Sequence, residues 1–582
     1  MQLSGIDQII IALFFLVSLI IGIAVSRKAG TSSKEFFLSG RNMPWWLLGV
    51  SMVATTFSAD TPNLVTDIVR KNGVAGNWVW WSFLLTGMLT VFVYSKLWRR
   101  SGVLTDLEFY EIRYGGKGAA FLRGFRAIYL GVFFNVMIMA TVCLAAIKIG
   151  GIMLGLSPVE SVVIAGSVTV LYSMLGGLRG VLITDFFQFL LAMIGTVWAA
   201  YVLVDLPQIG GLENLLANER VGELTSFFPD FSDTKNLIPL LIVPLAVQWW
   251  SVWYPGAEPG GGGYIAQRML AAKDERHAMG ATLFFNIAHY ALRPWPWIII
   301  ALCSVVVFPD LASIGAAFPE VDPSIINDDL AFPAMLTFLP SGLLGLVIAS
   351  LIAAFMSTIS THLNWGSSYV VNDFYVRFID REASDKKQVM VGRISTLLLM
   401  VLAAVFALML SNALQAFNIL LQIGAGTGLI FILRWFWWRI NAWTEISGMV
   451  ISFLVAIYFE LVHPALGLVE LSSHFKLVAG VVITTVGWVS VTFLTAPEAD
   501  EVLREFCRRI NPTSGWKNYR MEGSEDGQLP LQILGMFLGC LAVYSFLFGT
   551  GAIIYGNLAM GIGLIALASG CMFIIFRNWK KF

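Results

Sequence analysis

The residues with chemistry to offer are concentrated at positions 51–63, SMVATTFSADTPN. Hydroxyls at Thr55, Thr56, Ser58 and Thr61 surround the carboxylate of Asp60, and Pro62 follows. The stretch lies in an otherwise apolar segment, 44–69, long enough to cross a bilayer. Unwound backbone at that depth is tolerated only where protein or a water-filled cavity surrounds it. If Pro62 and the hydroxyls open the helix midway, the freed carbonyls can ligate a hard cation such as Na+. The alternative is a proline-kinked helix packed on its neighbours through small residues. A second polar set lies at 353–368, AAFMSTISTHLNWGSS. On a helix, Ala354, Ser357, Thr358 and Thr361 share one face, with Ser360 on its flank. Hydroxyls alone are more often interhelical glue, worth ~0.6–2 kcal/mol each. Asp60 and Asp185, the latter in TDFFQF with Thr184 and Gln188, are harder to dismiss. A charge at membrane depth is costly and marks a functional candidate.

The rest of the chain must place these groups in a membrane. Its 582 residues are 57% hydrophobic and only 13% charged, with a mean hydropathy of +0.76, whereas soluble domains average about 25% charged. Lys+Arg and Asp+Glu balance at 37 each, so net charge points to no acidic or nucleic-acid partner. Cys143, Cys303, Cys507, Cys540 and Cys571 are scattered and read as free buried thiols. The apolar stretch 6–25 reads as a retained first span, because no small-residue cleavage site follows it. At roughly 20 apolar residues per crossing, about fifteen spans are expected. Lys and Arg cluster after the first, third, seventh, ninth and thirteenth spans and after the last, while alternate loops are nearly free of them. That asymmetry puts the N-terminus outside and the C-terminus in the cytoplasm. Residues 496–529 form the largest polar segment and are too few for a domain core. It reads as an internal, headgroup-facing loop with one amphipathic helix near 502–510.

Broken helices at matching places in two halves are the mark of inverted-repeat transporters. The second span breaks at Ser58 to Pro62. Five spans later, WWSVWYPGAEPGGGGYIAQRM at 249–269 cannot be a continuous helix. The alternative is an ordinary loop ending the seventh span early. Arg293, mid-span in HYALRPWPW, could meet a substrate carboxylate or pair permanently with Glu258, Asp60 or Asp67. Trp78, Trp80 and Trp81 form either an interfacial belt or a lid over a sugar-like ring. His289 and His362 read as packing residues, and Lys148 snorkels near a span end.

Several ordered motifs resemble the sodium/solute symporters, the family of the sodium–glucose, sodium–proline and sialic acid transporters. They are FFLSGRNMPWW (36–46), SMVATTFSAD (51–60), GGLRGVLITDFFQ (176–188), YIAQRMLAAKDERHA (264–278) and AAFMSTISTHLNWGSSYVVNDFY (353–375). The resemblance implies an all-α polytopic membrane protein with a leucine-transporter-like 5+5 inverted-repeat core and extra N- and C-terminal spans. The divisions expected are 1–43, 44–205, 206–236 (an external loop), 237–439 and 440–582. It also implies a sodium site of backbone carbonyls and adjacent hydroxyls at Ala54, Phe57, Ala354, Ser357 and Thr358. A second sodium site is implied at Thr61, Asp185, Ser357, Ser360 and Thr361. The family's sugar-reading positions fall on Asp60 and Thr61, with Trp80 or Trp81 where sugar transporters have a carboxylate, and loosely on Gln422. The proline and glycine insert replaces their aromatic inner gate, which puts a simple hexose in doubt. Thr56, Ser58, Asp60, Thr61, Trp81, Glu258, Arg293 and Gln422 are the candidate substrate set.

The expected activity is sodium-coupled symport of a small polar solute (sugar, sugar acid, amino acid or related carboxylate) by alternating access in the cell membrane. No enzymatic reaction and no nucleic-acid partner are expected; Na+, the solute and the bilayer are. Na+ is expected to hold spans two and nine together and favour an outward-open state. Two Na+ per solute are expected, because Asp185 needs a cation and no Lys or Arg of spans two or nine lies near it. The alternative there is that Asp185 only shapes helix packing. A transporter-like sensor is the runner-up and would be expected to carry an output domain after the last span. A membrane-embedded transferase would need a better pair than His362 with Asp373.

Overall fold

The computed structural model describes residues 3–29, 32–252, 258–319, 321, 326–410, 424, 426–512, 514–519 and 529–582, apart from the side chains of 26–29, 148, 152, 172 and 175. Gln422, the Lys148 side chain and part of the proline and glycine insert therefore lie outside the described residues. The described residues are helical, joined by turns and one isolated bridge between Met43 and Ala272. Among them, eleven helices are long and apolar enough to cross a membrane. Shorter or interrupted apolar helices fill other expected positions: Trp45–Thr55 with Thr61–Asn72, Pro158–Leu171, and Gly263–Ala271.

Helix Leu343–Ser368 is the axis of the assembly. Within the crossing Leu343–Ile379, 89% of the most apolar stretch is buried, against 17% for Gly5–Val25. A helix buried on all sides can carry polar side chains only if they meet other helices, and this one carries Ser357, Thr358, Ser360, Thr361 and His362. It packs along Pro158–Val204 and touches Trp45–Thr55 and Gly263–Ala271. Gly5–Ala29 lies outside, against Pro158–Val204 and Leu343–Ser368. Asp7 fastens it there. Its Oδ1 accepts the N–H groups of Gly342 and Gly345, both at 2.7 Å, where Leu343–Ser368 begins. A carboxylate on those orphan donors also suits the positive end of the helix.

The fifth and sixth expected spans are joined by a kink rather than a loop. Gly177 has φ 52° and ψ −157° within Pro158–Val204. A Cβ there would meet the Phe36 carbonyl at 2.7 Å, so the position needs glycine for both dihedral and space. This kink turns the chain so that Thr184, Asp185 and Gln188 face inward, all buried. The amphipathic helix expected near 502–510 is Asp500–Ile510. Its apolar face is covered by protein rather than headgroups: Phe506 packs on Phe109, Trp435 and Trp516. All five cysteines are free and buried.

Candidate functional site

The second expected span is open in the middle. Trp45–Thr55 ends, residues 56–60 leave the helix, and Thr61–Asn72 restarts with Pro62 in its first turn, where a missing N–H costs nothing. Ser58 and Thr61 close the gap locally. The Ser58 N–H donates to Thr61 Oγ1 at 3.2 Å, and the Thr61 N–H donates to the Ser58 carbonyl at 3.1 Å. From the facing helix, Thr358 Oγ1 donates to the Thr55 carbonyl at 3.0 Å and to the Ala354 carbonyl at 3.1 Å. The Ala54 carbonyl accepts the Phe57 N–H at 3.1 Å, and no backbone N–H of the described residues donates to the Phe57 carbonyl. Ala54, Phe57, Ala354, Ser357 and Thr358 are all buried, none more than 4% exposed. The structure thus sets three backbone carbonyls and two hydroxyls on the two helices that meet at the break. All are neutral hard oxygens, the donor chemistry that suits an alkali cation.

Asp185 is engaged differently. Its Oδ1 accepts Ser357 Oγ at 2.7 Å and its Oδ2 accepts Ser51 Oγ at 2.5 Å. The guanidinium of Arg268, from helix Gly263–Ala271, stands 3.9 Å from Oδ2. Arg268 also donates to Ser51 Oγ at 3.2 Å, to Thr361 Oγ1 at 2.7 Å and to Gln267 Oε1 at 2.9 Å. Thr361 meets Thr55 at 2.9 Å, and Ser360 Oγ turns back to the Ser357 carbonyl of its own helix. Of the five residues of the second expected sodium set, then, Asp185 and Ser357 are in contact and Thr361 joins them through Arg268. Thr61 is bonded to Ser58 instead, and the Ser360 hydroxyl is used up on the backbone carbonyl of Ser357 rather than on Asp185.

Around the break, Arg293 follows a single π-turn, Ala288–Leu292, and precedes Pro294. It is buried, 1% exposed. One terminal nitrogen donates to the Val53 carbonyl at 3.2 Å and to Thr56 Oγ1 at 3.4 Å, and the other to His289 Nδ1 at 2.5 Å. The guanidinium lies over Trp297 and Phe57, 5.1 and 5.8 Å from their ring centres. Each carboxylate considered for it has another place. Glu258 pairs with Arg126 at 2.5 Å, Asp67 with Lys71 at 2.6 Å, and Asp60 is exposed without an ion pair among the described residues. His289 is therefore part of the polar site rather than plain packing, whereas His362 meets Asn135 at 2.6 Å between Tyr264 and Trp365.

The tryptophans form neither an exposed belt nor a uniform lid. Trp78 and Trp81 are buried with Tyr544 and Phe548. Trp81 is thus a packing residue in this conformation. Trp80 is the ring that reaches the polar site: it stacks on Tyr290 and stands edge-on to His289.

With this geometry in place, comparison with known proteins identifies the lineage. The profile described as the Sodium:solute symporter family matches residues 36–452. The chain belongs to the sodium:solute symporter family. Similar proteins include the sodium/glucose cotransporter of Vibrio parahaemolyticus, 28% identical over 79% of this chain and 86% of that one. Sodium/myo-inositol cotransporter 2 of Oryctolagus cuniculus is 28% identical over 79% and 71%. A solved Na+-coupled sialic acid symporter, in a substrate-bound outward-open state, shares the fold with a TM-score of 0.65 at 19% identity, covering 85% of this chain and 99% of that one. The chain is accordingly a sodium-coupled solute transport protein, not an enzyme.

Two polar groups of this symporter were missed or misread from sequence. From sequence, Arg113, Arg123 and Arg126 after the third span and Arg268 after the seventh read as loop charges that set orientation, yet all four are buried. Arg126 and Glu258 belong to an interior cluster with Glu445, Arg434 and Tyr114, in which Tyr114 donates to Glu445 at 2.5 Å and Arg434 stands 3.5 Å from it. Beside this cluster Asp106 accepts the Gly263 N–H at 2.8 Å and the Tyr369 hydroxyl at 2.5 Å. Burial pushes the Asp106 carboxyl up to about 6, and nearby Glu258 adds to the rise. Asp106 and Glu258 thereby tie the restart of the interrupted seventh span to the neighbouring helices. The signal that could have found them is the pairing of loop acids with arginines inside apolar helices.

Proposed function

We propose that the protein imports a small polar organic solute together with Na+ by alternating access. In this reading the core is a 5+5 inverted repeat inside about fifteen crossings, with the N-terminus outside and the C-terminus in the cytoplasm. Na+ is held by the Ala54, Phe57 and Ala354 carbonyls with the Ser357 and Thr358 hydroxyls. The observation that carries this is the hydroxyl of Thr358 reaching the unwound end of Trp45–Thr55 at 3.0 Å. A cation inserted there would tie the two helices together, and its loss would let them part. Solute binds at the break, against Asp60, Thr56, Ser58 and Arg293, with Trp80 as the aromatic wall.

The test is uptake by proteoliposomes under an inward Na+ gradient, with K+ replacing Na+ as control. Sodium-dependent accumulation above the equilibrium level supports the reading. Binding of solute with no flux under any gradient would favour the sensor reading instead.

A further inference from the structure

We infer that Arg293 reads a negative charge on the solute, and that the transported solute is a small organic carboxylate rather than a neutral sugar or polyol. The inference rests on the transport reading above and narrows its substrate class.

The buried arginines of this chain follow a pattern. Arg70 has Asp328 at 2.8 Å, Arg123 has Asp373 at 2.7 Å, Arg126 has Glu258 at 2.5 Å, Arg268 has Asp185 at 3.9 Å and Arg434 has Glu445 at 3.5 Å. Arg113 has no carboxylate within ion-pair distance; its Nε and one terminal nitrogen donate to the carbonyls of Arg434, Trp437 and Trp438, its other terminal nitrogen has no partner among the described residues, and three aromatic rings lie against it. Among the described residues Arg293 has neither a carboxylate nor three carbonyls. It has one carbonyl at 3.2 Å, one hydroxyl at 3.4 Å and a histidine nitrogen, and its Nε has no partner among the described residues.

A guanidinium cannot escape an unfavourable site by losing its proton, so a buried one without a counter-charge is expensive to keep. Its place explains why it is kept. Arg293 sits at the end of a π-turn, in which its own N–H reaches the Ala288 carbonyl at 3.2 Å, five residues back. Such single turns inside helices re-aim side chains and recur at functional sites. Here the turn aims Arg293 at the last residues of Trp45–Thr55, beside the break. Thr56, His289 and Trp80 around it are each partly exposed. An anion arriving past these residues would complete the guanidinium. Nε is unpartnered among the described residues, and a guanidinium edge that includes it offers two parallel N–H donors to the two oxygens of a carboxylate. His289 accepts from Arg293 through Nδ1, so it presents an Nε2–H donor as well. Asp60, exposed at the other end of the break, is left for hydroxyl or ammonium donors of the same solute.

The test uses matched pairs on the purified full-length protein: glucose against glucuronate, galactose against galacturonate, glycerol against glycerate, and alaninol against alanine. Binding is read by thermal shift in Na+ and in K+, and uptake by proteoliposomes. The expected result is a response to carboxylate members that exceeds the neutral or cationic member of each pair. Arg293→Gln should weaken the carboxylate response roughly 10- to 100-fold, the loss of a charge-assisted pair, while the shift produced by Na+ alone is retained and reports an intact fold. Arg293→Lys should restore part of the response. A stronger response to neutral members, no response to any carboxylate, or a carboxylate response unchanged in Arg293→Gln, would overturn the assignment. Carboxylate binding that needs Arg293 but not Na+ would leave Arg293 standing and overturn the sodium-coupled reading.

Discussion

At the residue scale the decisive pair is Asp185 with Arg268. No Lys or Arg of the second or ninth span is placed to balance Asp185, which from sequence points to a second Na+ there; the structure brings Arg268 from the seventh. Both side chains are fully buried and share Ser51. Breaking a buried pair by removing one member costs about 3–5 kcal/mol, because the other is left uncompensated. Asp185→Asn is therefore expected to lower the thermal midpoint sharply, and Asp185→Asn with Arg268→Gln to recover part of the loss. Neither change should alter how many Na+ accompany each solute. A drop in that number in a folded Asp185 variant would make the carboxylate an ion ligand after all. Thr358 is the contrasting case. Thr358→Val keeps the shape, deletes the hydroxyl and is expected to raise the Na+ needed for half-maximal uptake by roughly tenfold, one lost ligand at about 1–2 kcal/mol. Normal Na+ dependence in Thr358→Val would remove it from the site. The hydroxyl face of 353–368 was legible because period 3.6 aligns it in any helix. The partner of Asp185 was not, because an Arg that follows an apolar run reads the same whether it snorkels or turns inward.

At the element scale, breaks are easier to foresee than what bridges them. Pro62 after a run of hydroxyls announces an interruption, and residues 56–60 are indeed non-helical. The observed break overlaps the expected Ser58 to Pro62 but is shifted by two residues, because proline is comfortable in the first turn of the restarting helix, not in the gap. The join at Gly177 was hidden for the opposite reason. GGLRG looks like a loop, yet one residue at positive φ suffices to redirect a helix. Gly177→Ala places a methyl 2.7 Å from the Phe36 carbonyl at a left-handed φ, with backbone on the other side that cannot swing away. It should destabilise the protein by about 1–3 kcal/mol for the dihedral strain alone. The thermal midpoint of purified Gly177→Ala in detergent checks this. An unchanged midpoint would show that the kink adapts and that the helix–helix register does not depend on it.

At the scale of the whole molecule, the question is how much charge crosses the membrane per cycle. The fixed charges of the interior are largely self-contained: Arg126 with Glu258, Arg434 with Glu445, Arg123 with Asp373, and Asp185 with Arg268. Paired charges that stay paired contribute nothing net to a transport cycle. What moves is then the cargo. On the proposed reading the neutral-oxygen site at Ala54, Phe57, Ala354, Ser357 and Thr358 takes one Na+, and Arg293 donates to a single carbonyl and has no carboxylate partner among the described residues. One Na+ with one monocarboxylate sums to no net charge. Uptake of a carboxylate solute should accordingly follow the Na+ gradient and ignore a K+ diffusion potential set with valinomycin. A neutral solute carried by the same protein would move one positive charge, worth about 2.3 kcal/mol per 100 mV, and its uptake should rise when the interior is made negative. Reversal potentials in proteoliposomes separate the cases directly. Carboxylate uptake accelerated by an inside-negative potential would require a second coupled cation. Asp185 would then have to exchange Arg268 for Na+ during the cycle, and the pair seen here would be one state of a gate rather than a permanent bond.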